Sequence, residues 1–398
     1  MKERLIHTPE GVRDIYNGEC ARKNMLLDRM KNVLKSYGYR DIQTPTFEFF
    51  DIFNQDKGSL PSNQMYKFFD REGNTLVLRP DITPSIARAV SKYFHEENFS
   101  MRFSYTGNIF INNSSLQGRM KESTQTGAEL IGDGSIDADA EMIALAINLL
   151  LAAGLKEFQI DLGHVGFFKG LIEESGMDEE TEQTLRELIE NKNFFGVEAM
   201  TENQALVQLP KLFGSQDILK EAKRLTSNMN ALSAITRLEQ IYKMLGEYGL
   251  QKYVTFDLGM LTEYDYYTGV IFRGYTYGTG DAVVKGGRYD TLLQKFGKEA
   301  ESVGLAVAVD ELLIALNRQK VDMEDSESVT MVLYSGEMFK EALKKAEELR
   351  KEGGCVQVNR MDTERTLEEY QAYASRFGIS RVIYFNKAGE MKLLEVQS

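Results

Sequence analysis

The sequence predicts an α+β fold built on an antiparallel sheet with flanking helices, carrying a helical insertion and followed by a small C-terminal α/β domain. Three observations lead to this. Strand-like segments up to about residue 309 mostly follow one another as hairpins, with helical segments at their flanks. Between about Lys169 and Gly249, charged and apolar residues recur at helical spacing instead. Beyond Ser328, strand-like and helix-like segments alternate, the pattern of an α/β unit.

In chain order, a lead-in segment Thr8-Pro9-Glu10-Gly11-Val12-Arg13-Asp14-Ile15 precedes a helix with Leu27, Met30, Leu34 and Tyr37 on one face and Gly38 as its stop signal. Asp41 to Phe50 is strand-like and broken at Pro45, and Leu76-Val77-Leu78-Arg79 reads as a strand ending at Pro80. Met101–Ile111 and Lys121–Ile131 read as two strands joined by the polar loop Asn112–Gly118. A helix spans roughly Asp137 to Ala153. Phe158–Leu162, Val254–Leu258, Val270–Tyr277 and Val303–Val309 complete the strand set, and Glu182–Ile189 and Ile235–Leu245 lie in the helical insertion. The C-terminal part reads as strand Thr330–Tyr334, helix Met338–Glu352, strand Cys355–Val358, helix Thr366–Phe377, strand Arg381–Asn386 and strand Met391–Val396. The expected domains are residues 1–320, with the insertion at about 169–249, an acidic linker 321–328, and residues 329–398.

The 398 residues are 42% hydrophobic and 27% charged, ordinary values for a globular protein of two or three domains. No apolar run approaches the roughly 18 residues of a membrane span; the longest apolar helix candidate is Met142 to Ala153. The N-terminus leads into no apolar signal core. Cys20 and Cys355 form no CxxC unit and the three histidines are widely spaced, which argues against a disulfide framework and a metal site. The expectation is a cytoplasmic protein without metal or cofactor. A net charge of −13 argues against a large nucleic-acid footprint.

Residues two apart on a strand share a face, so Gln125, Gly127 and Glu129 line one side. The glycine leaves space between an amide and a carboxylate that suits an imidazole N–H or an ammonium. A solvent-facing strand side is the plainer reading. Leu78-Arg79-Pro80-Asp81-Ile82-Thr83 reads as a proline-initiated turn with an Asp/Thr helix N-cap before Ser85–Val90. Tyr264-Asp265-Tyr266-Tyr267-Thr268-Gly269 is a tyrosine-rich run, followed by Gly286-Gly287-Arg288-Tyr289-Asp290.

These stretches, with Gln117-Gly118-Arg119, resemble the catalytic domain of the histidyl-tRNA synthetases, a class II aminoacyl-tRNA synthetase family. The resemblance runs from about Thr8 to about Leu394. It implies that Gln125 and Glu129 hold the amino acid, that Asp81 and Thr83 take its ammonium, and that Tyr266 and Tyr267 belong to a histidine-specificity loop. Asp81 is one methylene shorter than the family's glutamate. Arg119 matches a second arginine of motif two and could hold a ligand carboxylate, though a surface loop arginine reads equally well. The implied histidine-binding set is therefore Asp81, Thr83, Arg119, Gln125, Glu129, Tyr266 and Tyr267.

The phosphate-binding arginines of the synthetases are missing from the pattern. Motif two usually reads Phe-Arg-x-Glu, whereas this chain has Phe110-Ile111-Asn112-Asn113; motif three usually ends in Gly-x-Glu-Arg, whereas this chain has Ala308-Val309-Asp310-Glu311. Thr262 stands where the histidine-specific arginine is expected. Losing one donor to a developing oxyanion costs roughly 3–4 kcal/mol of transition-state stabilisation. From Asp325 to Ser398 there are 11 Lys/Arg against 13 Asp/Glu, no basic face for an anticodon reader although the domain resembles that fold.

Retained pocket and missing arginines together resemble the regulatory subunits of ATP phosphoribosyltransferase, a synthetase-like paralogue family. This implies a chain with no catalytic residues and no cofactor. It implies a hetero-oligomer with a short-form ATP phosphoribosyltransferase catalytic subunit, which condenses ATP with phosphoribosyl pyrophosphate in the first step of histidine biosynthesis. A homodimer through Gly38 to Glu48, L-histidine as effector, and no tRNA or membrane partner are implied as well. The alternatives are a divergent active histidyl-tRNA synthetase and a histidine-binding module serving another partner.

Overall fold

The computed structural model describes residues 6–54, 60–113, 119–261, 266–321, 323, 329–394 and 396. The elements, in chain order, are α1 Asn17–Ser36, β1 Arg40–Asp41, β2 Phe47–Phe49, β3 Lys67–Phe69, β4 Thr75–Leu78, α2 Thr83–Tyr93, β5 Met101–Phe110, β6 Glu122–Ile131, α3 Ile136–Ala153 and β7 Phe158–His164. There follow α4 Val165–Ser175, α5 Glu179–Glu190, α6 Phe194–Met200, α7 Gln204–Gln208, β8 Phe213–Gly214, α8 Asp217–Ala222, α9 Met229–Glu247, β9 Val254–Asp257, β10 Val270–Thr276, β11 Val284–Arg288, β12 Ser302–Ala308 and α10 Val309–Arg318. The last elements are β13 Val329–Tyr334, α11 Phe339–Lys351, β14 Cys355–Arg360, α12 Leu367–Arg376, β15 Ile379–Phe385 and β16 Met391–Leu394. Two compact units result: residues up to Arg13 with Leu26–Val321, and Asp14–Met25 with the described residues after Val321.

The first unit is organised by a nine-stranded sheet in the order β1-β5-β6-β12-β11-β10-β7-β9-β8. The long β5–β6 hairpin pairs Met101 with Ile131 through to Phe110 with Glu122. Two pairings, β1 with β5 and β7 with β9, are parallel, so the sheet is not wholly antiparallel as expected. β11 is a strand that the sequence reading treats only as a motif. Its Gly286-Gly287 pair removes the apolar side chains that normally announce a strand, and the ladder to β10 and β12 holds it extended. A separate three-stranded sheet, β2-β4-β3, adds one strand beyond those expected, β3.

α3 is buried on nearly all sides, as its run of Ala, Ile and Leu requires, and packs on β11, β12 and α9. Ser135 caps its start by accepting from Ala138 N, and Gly154, at φ +102°, ends it. In α1 the buried stripe is Leu26, Met30 and Leu34, at i, i+4 and i+8; Leu27 and Tyr37 are only half-buried, one step round from the expected face. Among the described residues no helix is long and apolar enough to cross a membrane.

The second unit is a four-stranded sheet, β14-β13-β15-β16, parallel except for the final β15–β16 pair. Central β13 has β14 on one side and β15 on the other. Crossovers of one hand then place the two helices on opposite faces. α11 covers Val332, Ile383 and Phe385, while α12 covers Met331, Leu333 and Val382. A capping box of Thr366 and Glu369 starts α12. Most of the linker 321–328 lies outside the described residues.

Candidate functional site

The first unit holds a cavity of about 420 Å³, a size within the range of small-molecule sites. Its floor is β12, which presents the alternate residues Gly304, Ala306 and Ala308. β6 supplies Gln125 and Glu129 on one side. Asp81 and Thr83 come from the start of α2, Tyr266 and Tyr267 from the segment before β10, and Tyr289 from just beyond β11. All seven candidate residues, Asp81, Thr83, Arg119, Gln125, Glu129, Tyr266 and Tyr267, line this one cavity. Gln117, Gly118, Thr262, Tyr264 and Asp265 lie outside the described residues.

The deep end is a hydrogen-bonded array around two carboxyl groups. Glu129, 1% exposed, accepts from the Thr83 hydroxyl at 2.7 Å and from the Tyr289 hydroxyl. Asp81, 6% exposed, accepts from the Tyr266 hydroxyl at 3.0 Å and from Thr83 N at 3.3 Å. The Tyr266 ring lies 4.8 Å from that of Tyr267 and stands edge-on to Tyr289 at 5.9 Å. Among the described residues no Lys or Arg pairs with either carboxyl. Burial therefore dominates. It pushes Glu129 up to about 8, against the pull of Tyr289 and Thr83 and with a further push from Asp81. It also raises Asp81, against its bonds from Thr83 and Tyr266.

The expected Asp/Thr helix cap takes a different form. α2 begins at Thr83, with Pro84 fixing its first turn, and its cap residue Ile82 makes no side-chain cap bond. The Thr83 hydroxyl goes to Glu129 instead. Gly127 also differs from expectation: the space it leaves is filled by the Tyr105 ring and the Leu305 carbonyl, not by the cavity. Two other glycines shape the site. A methyl group on Gly304 would overlap Glu129 Oε2, and one on Gly287 would lie 2.7 Å from the Tyr267 ring. Gln125 projects toward the cavity with a buried Oε1 that has no hydrogen-bond partner among the described residues.

The pentapeptide Gly286-Gly287-Arg288-Tyr289-Asp290 splits its duties. Tyr289 reaches the cavity, and Gly287 makes room for Tyr267. Arg288 turns away to Asp139 Oδ1 at 2.7 Å, and Arg237 holds Asp139 Oδ2 at 2.6 Å. Asp290 accepts from Ser302 N at 3.0 Å and fastens the end of β11 to β12. Tyr289, Gly304, Asp281 and Lys285 are cavity residues beyond the expected seven. Tyr289 belongs to the Gly-Gly-Arg-Tyr-Asp motif, and the small residues at every second position of β12 are the sequence signal of a floor.

At the outer end stand Asn113, Arg119, Ser123, Asp281, Lys285 and Glu311. Lys285 Nζ approaches Asp281 at 3.4 Å. Asp310 is tied to the sheet by accepting from Thr124 N at 2.7 Å. Among the described lining residues, five carboxyl groups (Asp81, Glu129, Asp281, Asp310 and Glu311) face two cations, Arg119 and Lys285.

The family model for histidyl-tRNA synthetase matches residues 11–312. An ATP phosphoribosyltransferase regulatory subunit from Acetivibrio thermocellus is 42% identical over 393 residues, covering 96% of this chain and 94% of the relative. One from Ruminiclostridium cellulolyticum is 38% identical, covering 100% and 96%. The crystal structure of an ATP phosphoribosyltransferase regulatory subunit/histidyl-tRNA synthetase from Bacillus halodurans superimposes with a TM-score of 0.85 at 33% identity, covering 96% of this chain and 98% of that one. A histidyl-tRNA synthetase from Nostoc, 20% identical, shares the fold with a TM-score of 0.80 over 98% and 97% of the two chains.

The nine-stranded sheet and its neighbours thus define a class II aminoacyl-tRNA synthetase fold of the histidyl type. Within that class, the chain belongs to the family of ATP phosphoribosyltransferase regulatory subunits.

Proposed function

We propose that this chain is a non-catalytic regulatory subunit of ATP phosphoribosyltransferase, and that L-histidine binding in the cavity is its effector signal. The observation that carries the reading is the pair of buried carboxyls, Asp81 and Glu129, with no cation in contact among the described residues. Buried charge is costly unless paired. A ligand bearing an ammonium and an imidazole N–H supplies the missing donors, and the unpartnered Gln125 Oε1 accepts one more.

The same cavity is poorly suited to ATP. Its described acids outnumber its described cations, and it is lined by Ile111, Asn113 and Glu311, which by the family resemblance stand in place of a synthetase's Arg, Glu and Arg. Phosphate activation relies on forked, fixed cations. Names of the relatives support a catalytic partner chain, in keeping with a short-form ATP phosphoribosyltransferase that lacks a regulatory domain of its own. A homodimer through Gly38 to Glu48, a cytoplasmic location and independence from tRNA belong to the same reading. Histidine would act by favouring a low-activity arrangement of the complex, a coupling of about 1–3 kcal/mol in typical allosteric systems.

The test is the rate of phosphoribosyl-ATP formation by the same organism's short catalytic chain, with and without this protein, then with L-histidine. Activation that histidine reverses is expected. A rate indifferent to this chain overturns the reading, and histidine-dependent ATP–pyrophosphate exchange by this chain alone would point to a synthetase instead.

A further inference from the structure

A free amino acid is a zwitterion, and the cavity's deep end suits only its cationic groups. Its carboxylate, repelled by Asp81 and Glu129, must be met by a cation elsewhere in the lining. We infer that Lys285 receives the carboxylate of the bound amino acid and so sets the site's preference for amino acids over plain amines. This rests on the reading above that the ligand is L-histidine.

The sheet register places Lys285 for this role. β11 pairs Lys285 with Ala306 and Gly287 with Gly304. β12 in turn pairs Ala306 with Gly127 and Gly304 with Glu129. Directly opposed residues in an antiparallel ladder share a face, as do residues two apart. Glu129, Gly304, Ala306 and Lys285 therefore share one face. From Glu129, Lys285 lies two strands across, roughly 10 Å, and one row outward, roughly 7 Å. On β12 between them stand Gly304 and Ala306, so that strand puts nothing larger than a methyl group on the floor.

The described lining offers two cations. Arg119 is exposed at the start of its segment. Lys285 is half-buried on an interior strand, held by ladders on both sides. Its contact with Asp281, at 3.4 Å between partly exposed groups, is of a kind that contributes little. An ammonium carries three donors, so this contact leaves donors for a ligand.

The experiment is calorimetric titration of the full-length chain, and of its complex with the catalytic chain, using L-histidine and histamine, which lacks the carboxylate. Wild type should prefer L-histidine. Lys285→Met, which keeps the aliphatic stem, should weaken L-histidine about 10- to 100-fold, the worth of one charged hydrogen bond, and leave histamine unchanged. Lys285→Arg should retain most of the preference. Equal weakening of both ligands, or a preference lost in Arg119→Ala but kept in Lys285→Met, overturns the assignment to Lys285 while leaving the histidine reading standing. No binding of L-histidine by wild type, alone or in complex, overturns the histidine reading itself.

Discussion

The first unit buries carboxylates in two contrasting ways. Asp139 is fully enclosed and gripped by two arginines, Arg288 and Arg237, which also bond the carbonyls of Asp133, Gly134 and Ser135. Glu129 and Asp81 are also enclosed, yet among the described residues they receive only hydroxyl and amide donors. The first cluster is electrically complete and belongs to the architecture. The second is incomplete, and an incomplete buried charge is what a ligand can finish.

The sharpest way to break this comparison is to remove one partner from each. Asp139→Ala leaves buried Arg288 with Asp290 as its remaining carboxylate partner among the described residues, and loss of one member of a buried pair typically costs about 3–5 kcal/mol. A marked fall in the denaturation midpoint is expected, and an unaltered midpoint would remove the distinction. Glu129→Gln should do the reverse, weakening L-histidine about 100-fold with little loss of stability, since it leaves no charge unpaired. Calorimetry beside thermal unfolding separates the two outcomes. Gly304→Ala should follow at about 10-fold weaker binding, because its methyl displaces the Glu129 carboxyl; binding equal to wild type would show that the carboxyl has freedom to move.

A smaller effect lies in pH. The folded state holds the Glu129 proton up to about 8, against an ordinary glutamate value of 4.5. Its contribution to stability is therefore present in full below about 4.5 and is lost as pH rises toward 8. Unfolding midpoints of wild type should decline over that interval relative to Glu129→Gln. A cationic ligand favours the ionised carboxylate, so wild type should also release more protons on binding at pH 7 than the variant. Parallel pH profiles would contradict the assignment. At the small end, Lys31→Ala removes an exposed partner of Asp41 and should leave the midpoint unchanged within error.

Much of this was legible in the chain. β5 and β6 fall within a residue of their expected limits, because long segments rich in β-formers between clear turn signals leave little ambiguity. β11 did not stand out, since Gly286 and Gly287 are dictated by Phe272 and Tyr267 pressing on them rather than by strand propensity. The parallel pairings of β1 and β7 have no local signature, because pairing direction depends on remote strands. The seven candidate side chains converge on one cavity. Gly304 and Lys285 escaped notice because cross-strand register, not sequence spacing, brings them beside Glu129. Leu26 displaced Leu27 from the core of α1 for a similar reason: neighbours choose between two adjacent helical faces.

The Thr83 hydroxyl that binds Glu129 belongs to the first residue of α2, whose opposite end carries the exposed Tyr93. Eleven residues of helix are about 16 Å long. A swing of only about 5° pivoting at Thr83 would carry the far end by roughly 1.4 Å, a displacement comparable to the helix shifts that switch subunit interfaces. The helix thus joins the hydrogen bonds of Thr83 inside the pocket to a side chain at the protein surface.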